Sequence, residues 1–228
     1  ISTWSFCQDK IMSTGGEGGM ISTNNKKLWL KIWSLKDHGK NYKKIFKKRN
    51  KNEFIWLHDD FGSNYRMTEI QAAIGREQLK FLDKQIKKRN LIANLYLNGL
   101  KDYYLKYDIL KRPDFTFKSQ NSNKNLNKLY DFKHAFYRLN IFVNKNKINR
   151  NKLLKKLNEK KIKCGVGSCP EIYREKIFRK LNFFPKKRLI NAKLLGETSI
   201  MFPINPNLSL TKVKTEINSI KRILNKFL

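Results

Sequence analysis

The chain has 228 residues, a formal net charge of +32, a hydrophobic content of 40% and an aromatic content of 12%. This composition is typical of a globular protein and excludes an intrinsically disordered one. No apolar run reaches the roughly 20 residues of a membrane-spanning helix, and no signal peptide is visible. We therefore expect a cytoplasmic protein with no membrane partner.

The positive charge comes mainly from lysine, which is accompanied by many asparagine, isoleucine and phenylalanine residues. This combination indicates a base-composition bias of the source genome. Arginine, whose planar fork binds phosphates and guanine better, is the minority cation, and the lysines are spread along the whole chain. We therefore favour compositional drift, and a basic nucleic-acid-binding protein stays open as an alternative. In either case the charge would attract polyanions, including nucleotide diphosphates.

The three cysteines, Cys7, Cys164 and Cys169, form no CxxC pair. An odd number without paired spacing predicts neither a disulfide framework nor a zinc site, so no metal is expected. We interpret Cys164 and Cys169 as small buried residues.

Two short strands flanking a glycine-rich loop are predicted at the start of the chain. A strand over 1–6 leads to Lys10, the glycine-rich run 15–19 follows, and a second strand covers 20–23. A lysine at a strand end, beside a loop that admits close backbone approach, can present its amine to a carbonyl group. Most lysines are solvated surface groups, so this arrangement alone is weak evidence for covalent chemistry.

Helical patterns follow. Residues 26–35 predict a short amphipathic helix, and residues 36–60 a polar surface excursion. Thr68 and Gln71 have the spacing of a capping box, and apolar periodicity continues to Gly99. We expect one helix of about 30 residues that bridges two domains.

The rest of the chain alternates strands with helices, which predicts a small α/β domain. Residues 118–128 form a predicted loop. The predicted strands are 135–143, 162–166 and 199–202, and the predicted helices are 151–160, 171–181, 186–197 and 210–228. We therefore divide the chain into residues 1–98 and 99–228.

One distinctive run, FGSNYRMTEIQAAIG over residues 61–75, indicates a family. Together with Ser5-Phe6, Lys10, the glycine-rich run and Asp37-His38-Gly39, it resembles the DegT/DnrJ/EryC1/StrS family of pyridoxal-phosphate (PLP) sugar aminotransferases. The resemblance implies an α/β fold, the C-terminal part of PLP-dependent transferase fold type I. This part comprises the end of the large PLP-binding domain with its linking helix, followed by a small C-terminal α/β domain.

The resemblance implies a role for each matching residue. Lys10 would form the covalent link with PLP, and Ser5 would bind the cofactor phosphate. Asn64 would reach the phosphate in the neighbouring subunit's site across a homodimer interface. Local alternatives stay open, because Ser5 can cap a turn and Asn64 can form an Asx-turn.

Substrate-binding roles are implied for His38, Tyr65, Arg66 and Ser168. His38 can instead bridge loop backbone, and Arg66 can form a structural ion pair. Ser168 lies in the run 165–173, which is similar to perosamine-synthase-type enzymes that act on a GDP-linked 4-keto-6-deoxy sugar.

The resemblance also implies the reaction. Some relatives carry histidine at the lysine position and catalyse dehydration, so Lys10 favours transamination. The implied amino donor is glutamate, and the acceptor is a nucleotide-diphosphate keto-sugar used for surface polysaccharide such as lipopolysaccharide.

The family's pyridinium-binding aspartate and ring-stacking aromatic residue precede its lysine run. Because the chain starts with Ile1, inside a predicted strand, we expect a fragment or one product of a split gene. Such a chain would be inactive without its missing N-terminal half. A non-catalytic remnant or interaction module stays open as an alternative.

Overall fold

The computed structural model describes residues 1–47, 54–111 and 134–228, which form two compact units. Unit 1 comprises Ile1–Asp83 and unit 2 comprises Lys84–Leu228. The predicted division after residue 98 stays a prediction. The loop predicted over 118–128 lies outside the described residues.

Unit 1 begins with an antiparallel pair of strands. β1 (Ser2–Ser5) pairs with β2 (Gly19–Ser22), in the places where the sequence predicted two strands. Residue 19 has to be glycine in this pairing, because a Cβ there would lie 2.9 Å from the carbonyl oxygen of Trp4.

Three helices of unit 1 follow the strands. They are α1 (Lys26–Lys36), α2 (Tyr42–Phe46) and α3 (Glu69–Lys80). The helix α2 lies within the surface excursion predicted for residues 36–60, so that prediction missed it. It begins because the side chain of Asn41 caps its first turn, and the ring of Tyr42 packs 5.1 Å from that of Trp33 on α1.

The long helix predicted up to Gly99 is interrupted at Phe81, so the prediction of one continuous helix was wrong. The capping box of Thr68 and Gln71 is present at its start, as predicted. The backbone N–H of Phe81 donates to the carbonyl of Gln78 at 3.1 Å, three residues back, which tightens the last turn and ends α3. A second helix, α4 (Leu82–Gly99), follows directly.

Unit 2 contains, within the ranges described, a three-stranded antiparallel sheet in the order β3 (Leu110–Lys111), β4 (Arg138–Val143), β5 (Ser199–Pro203). Leu139 pairs with Phe202 and Ile141 with Ile200. Most of α4 belongs to this unit, and the other helices are α5 (Lys101–Leu105), α6 (Arg150–Glu159), α7 (Lys176–Lys180), α8 (Ile190–Thr198) and α9 (Leu210–Leu224).

The hydrophobic core of unit 2 follows the periodicity of its elements. Alternate residues of β4 are buried, as the period of a strand requires. The apolar stripes of α6 and α9 bury residues at helical spacing against the same core. These core residues include Leu139, Ile141, Val143, Leu153, Leu157, Val213, Ile217 and Ile220.

Several predicted elements of unit 2 differ from those observed. The strand predicted over 162–166 is reduced to a single bridge between Gly165 and Met201. The helix predicted over 171–181 is a 3-10 turn, Ile172–Arg174, followed by the short α7. The helix α5 and the strand β3 were not predicted.

Two further helix bounds shift. The helix predicted from residue 186 begins only at Ile190, because the backbone N–H of Leu189 donates to the Tyr173 hydroxyl at 3.1 Å. The terminal helix ends at Leu224 and continues as a 3-10 turn, Asn225–Phe227. Within the described part of the chain, no helix combines the length and apolar character needed to cross a membrane.

Candidate functional site

Lys10 lies in a tight turn that follows β1. Its backbone N–H donates to the Cys7 carbonyl at 3.0 Å, and its Nζ forms an ion pair with Asp9 Oδ1 at 2.5 Å. An ion pair stabilises the charged ammonium, whereas attack on a carbonyl group requires the neutral amine. Covalent chemistry at Lys10 therefore requires Asp9 to release the amine.

The glycine-rich loop folds onto its own side chains. A Cβ at Gly18 would lie 2.2 Å from Oγ1 of the buried Thr14, whose hydroxyl donates to the Glu17 carbonyl at 3.0 Å. The need for glycine at this position thus arises inside the loop. At Gly16, whose φ is +149°, a Cβ would meet no atom within 4 Å. The space beside Gly16 is therefore open.

Ser5 ends β1 and is exposed. Its Oγ accepts a long hydrogen bond of 3.4 Å from the backbone N–H of Cys7, so the turn anticipated as an alternative is present. Because the hydroxyl acts as an acceptor in this bond, its own O–H remains able to donate to a phosphate oxygen.

Four predicted site residues, His38, Asn64, Tyr65 and Arg66, lie together in a second loop cluster of unit 1. The backbone of Asp37 forms an antiparallel bridge with that of Asn64, and the N–H of His38 donates to the Ser63 carbonyl at 3.2 Å. These are contacts of the backbone, and the role of the His38 side chain stays a prediction.

Asp37 holds this loop cluster together, and the sequence analysis gave it no role. Its buried carboxylate accepts from Lys40 Nζ at 3.1 Å and from the Arg66 guanidinium. Burial opposes ionisation, but these hydrogen bonds outweigh it, so the pKa of Asp37 lies below its ordinary value. Arg66 thus forms the ion pair that was its structural alternative.

Two glycines allow the loops of this cluster to cross. Gly39 has a φ of +79°, and a Cβ there would lie 1.6 Å from the Asp60 carbonyl oxygen. A Cβ at Gly62 would lie 2.2 Å from the backbone nitrogen of Gly39. Both positions therefore exclude any side chain, which explains why the sequence has glycine in the two runs.

Asn64 is exposed and forms an Asx-turn, because its Oδ1 accepts from the backbone N–H of Arg66 at 3.3 Å. This bond occupies the acceptor end of the side chain and leaves the NH₂ end as the donor. Tyr65, next in the chain, is also exposed. The structure thus contains the local alternatives for Ser5, Asn64 and Arg66, and their roles toward a ligand stay predictions.

Ser168 lies in unit 2, in an exposed segment that ends at Glu171. Cys169 in this segment is exposed, so the prediction that it is buried was wrong, and Cys164 is only partly buried. Arg188 contacts the Glu171 carboxylate in a bidentate manner, with Nε–Oε1 2.8 Å and Nη2–Oε2 2.6 Å. The Tyr173 hydroxyl donates to the same carboxylate at 2.6 Å. The hydrogen bonds from Arg188, and then from Tyr173, lower the pKa of Glu171 to about 2. The sequence analysis missed this network, although Glu171 lies in the run that it quoted.

A cleft of about 810 Å³ lies in unit 1, against β1, β2 and α1. Tyr65 and Arg66 line it, whereas Lys10, Ser5 and Asn64 do not. Its other lining side chains are mainly apolar and include Trp4, Met20, Trp29, Ile32, Trp33 and Met67. Glu17 and Gly18 of the glycine-rich loop also line the cleft. Among the residues with described positions, no cluster of His, Cys, Asp and Glu could hold a metal ion.

The DegT/DnrJ/EryC1/StrS aminotransferase family matches residues 1–221, and the chain belongs to this family. An uncharacterized protein of Methanocaldococcus jannaschii is 31% identical, over 99% of this chain and 54% of that protein. The GDP-perosamine synthase of Escherichia coli O157:H7 is 39% identical, over 44% of this chain and 24% of its own length.

The fold is shared with the aminotransferase of Psychrobacter cryohalolentis, which is 37% identical with a TM-score of 0.84. The match covers 99% of this chain and 56% of that one. The predictions of the family and of its α/β fold are thus confirmed. This chain spans about half the length of the Methanocaldococcus jannaschii and Psychrobacter cryohalolentis proteins. A further fold neighbour, Bacillus subtilis NtdA, is 20% identical with a TM-score of 0.74, covers 98% of this chain and 45% of that one, and was solved with bound cofactor PMP.

Proposed function

We propose that this chain is part of a PLP-dependent sugar aminotransferase that acts in the cytoplasm. The complete enzyme moves an amino group from glutamate to a nucleotide-diphosphate keto-sugar, for surface polysaccharide biosynthesis. The observation that carries this proposal is the family match over residues 1–221, which includes Lys10 in the Ser-Phe-x-x-x-Lys run. The likeness to GDP-perosamine synthase supports a sugar substrate.

The residues of unit 1 fit a phosphorylated carbonyl cofactor. Ser5 and Asn64 each use an oxygen atom to accept a local backbone N–H, so each retains a donor for phosphate. The open space beside Gly16 does not obstruct such a group. When bound, PLP supplies an electron sink for the carbon that exchanges its amino group. Lys10 would hold the cofactor and carry the proton to and from that carbon.

A homodimer and an N-terminal half from outside this chain complete the proposed enzyme. The apolar lining of the cleft in unit 1 supports this, because large apolar side chains such as Trp4 and Met20 are about half exposed. Exposed apolar groups that lie together usually mark an interface. We propose that the chain alone does not transaminate.

Borohydride trapping tests the role of Lys10. The chain is co-expressed with a chain that supplies the N-terminal half of the family fold, and the assembly is treated with PLP and borohydride. We expect peptide mass mapping to find the pyridoxyl label on Lys10. A Lys10→Ala variant should lose the label and all transamination, because no other amine takes that position.

The control for this experiment is Lys26→Ala, which removes an exposed lysine at the start of α1. This variant should keep both label and activity. Labelling of another lysine in the active assembly would contradict the proposal, and activity of the chain alone would contradict the requirement for a second half.

A further inference from the structure

We propose that Thr14 and Gln71 are positioning residues for Lys10. Their side chains both donate to the backbone carbonyl of Glu17. This contact of three residues, here named the Glu17 junction, fixes the turn that carries Lys10 onto helix α3. The inference rests on the proposed function and adds to it how the lysine of unit 1 is held in place.

Backbone hydrogen bonds close the turn that carries Lys10. At its base the N–H of Thr14 donates to the Phe6 carbonyl at 3.2 Å. Inside it the N–H of Lys10 donates to the Cys7 carbonyl at 3.0 Å, and Cys7 forms a parallel backbone bridge with Gly16. These contacts set the shape of the turn, but none of them attaches it to a helix.

The hydroxyl of Thr14 provides the first half of the attachment. Thr14 is only 1% exposed, and its Oγ1 donates to the Glu17 carbonyl at 3.0 Å. A buried hydroxyl needs such a partner, because an unpaired one costs free energy. The bond therefore ties the end of the Lys10 turn to the glycine-rich loop.

Gln71 brings helix α3 to the same carbonyl. Its Nε2 donates to the Glu17 oxygen at 2.8 Å, across 54 positions of sequence. Its Oε1 accepts from the backbone N–H of Thr68 at 3.1 Å, as part of the capping box, so the amide group is held at both ends. A backbone carbonyl has two lone pairs and can accept both donors. The Glu17 oxygen thus receives one donor from the turn and one from the helix.

Close packing between the loop and α3 supports the junction. A Cβ at Gly75, on α3, would lie 2.9 Å from Cγ2 of Thr14, so the threonine methyl group packs directly against the helix backbone. A Cβ at Gly15 would lie 3.0 Å from Cδ1 of Ile74, on the same helix. A displacement of the Lys10 turn relative to α3 would therefore break these contacts together with the hydrogen bonds.

A fixed turn matters for the chemistry proposed for Lys10. Its amine has to meet the cofactor carbonyl in one geometry, and a misplacement of about 1 Å can lower a rate by about 100-fold. Lys10 lies on a turn, which is less rigid than a helix unless other contacts hold it. The junction supplies those contacts from the first two turns of α3.

Matched variants test the junction in the complete assembly with the N-terminal half. Thr14→Val removes the hydroxyl and keeps the shape of the side chain, whereas Gln71→Glu removes the donor and keeps the acceptor of the capping box. Each should lower the rate at which PLP and borohydride label Lys10 by about tenfold. The final extent of labelling should equal that of the wild type, because a folded protein with a misplaced lysine reacts slowly but completely. Thr14→Ser, which keeps the hydroxyl, should restore the rate.

Amide hydrogen exchange provides a readout without the cofactor. The peptide that contains Lys10 and Thr14 should exchange faster in Thr14→Val and in Gln71→Glu, because the turn is no longer held on α3. Exchange in β4 of unit 2 should not change.

The control is Gln78→Glu, which makes the same change from amide to carboxylate on α3, about two turns beyond Gln71. It should leave both the labelling rate and the exchange of the turn unchanged. An unchanged labelling rate in Thr14→Val and Gln71→Glu would overturn the inference. A loss of labelling extent without a loss of rate would also overturn it, because that result indicates misfolded molecules.

A separate result marks failure of the proposed function. If Lys10 stays unlabelled in the wild-type assembly, the proposed function fails. Hydrogen exchange of the cofactor-free chain then decides whether the junction holds the turn. Faster exchange in Thr14→Val and Gln71→Glu, but not in Gln78→Glu, supports the junction, and any other pattern refutes it.

Discussion

Unit 1 carries most of the predicted site residues, whereas unit 2 contains the hydrophobic core. Among the described residues, the buried apolar side chains all lie at or after Ile92. In unit 1 the buried side chains are polar, Thr14 and Asp37, and large apolar groups such as Trp4 and Phe61 are exposed. Unit 1 is thus held by loop hydrogen bonds, ion pairs and partly exposed aromatic contacts between α1 and α2, whereas unit 2 is held by apolar packing in a buried core.

This difference indicates which unit is stable without another chain. Burial of apolar area is the main favourable contribution to folding, and unit 1 gains little of it from its own residues. Its loop geometry, including the crossing of Gly39 and Gly62, depends on contacts that water can compete for. Unit 2 also exposes apolar groups, such as Phe183 and Ile190, but it has a hydrophobic core of its own.

The largest effect is expected from two leucine truncations, one in each unit. Leu139 is fully buried in β4, and Leu35 on α1 is 53% exposed. Leu139→Ala should lower the free energy of unfolding by about 2–5 kcal/mol, because it leaves a cavity. Leu35→Ala should change it by less than about 0.5 kcal/mol. Chemical denaturation of the whole chain measures both.

A large loss in Leu35→Ala would contradict this comparison, because it would mean that unit 1 has a core of its own. The same two variants sharpen the comparison in the assembly with the N-terminal half. There Leu35→Ala should become more costly, since a partner that covers the cleft would bury this side chain.

The sequence predicted the regular part of the fold because that part follows local rules. The strands β1 and β5 occur where residue patterns place them, and the capping box at Thr68 is present. The interruption at Phe81 was missed because the apolar periodicity continues across it. The segment after Glu171 has helical periodicity, but the contact with Arg188, seventeen positions later in the chain, sets its conformation. Local patterns do not contain such contacts.

The site could be predicted as residue types but not as geometry. The motif runs pointed to Lys10, Ser5 and Asn64, and these lie on turns at element ends. The runs did not indicate that Asp9 pairs with Lys10 or that Asp37 pairs with Arg66. Their roles depend on which side chains the fold brings near.

A smaller effect is expected from removing one helix cap in each unit. Ser209 caps α9 by accepting from the N–H of Lys212 at 3.2 Å, and Thr68 caps α3 in the same way at 3.3 Å from Gln71. Ser209→Ala should lower the free energy of unfolding by about 1 kcal/mol, because α9 packs on the core. Thr68→Ala should leave that value unchanged.

Amide hydrogen exchange provides the second readout for the caps. In Thr68→Ala the first turn of α3 should exchange faster, since local opening there does not involve the core of unit 2. Equal losses of unfolding free energy in the two cap variants would show that both units unfold together, and the contrast between them would be wrong.

The smallest effect concerns the acid sensitivity of the ion pair between Glu171 and Arg188 in unit 2. The pKa of Glu171 is lowered to about 2, chiefly by its hydrogen bonds from Arg188. A carboxylate with a lowered pKa in the folded state contributes stability that is fully present above its ordinary pKa of about 4.3. That contribution disappears as the pH falls toward 2. Melting temperatures of the wild type and Glu171→Gln should therefore differ at pH 6, and the difference should shrink between about pH 4.5 and 2.

Asp37→Asn provides the counterpart in unit 1. There the same pH titration should alter amide hydrogen exchange in the loops but not the melting of the core, because the Asp37 ion pairs lie outside unit 2. A difference between wild type and Glu171→Gln that stays constant down to pH 2 would mean that Glu171 stabilises the protein through packing rather than through its charge.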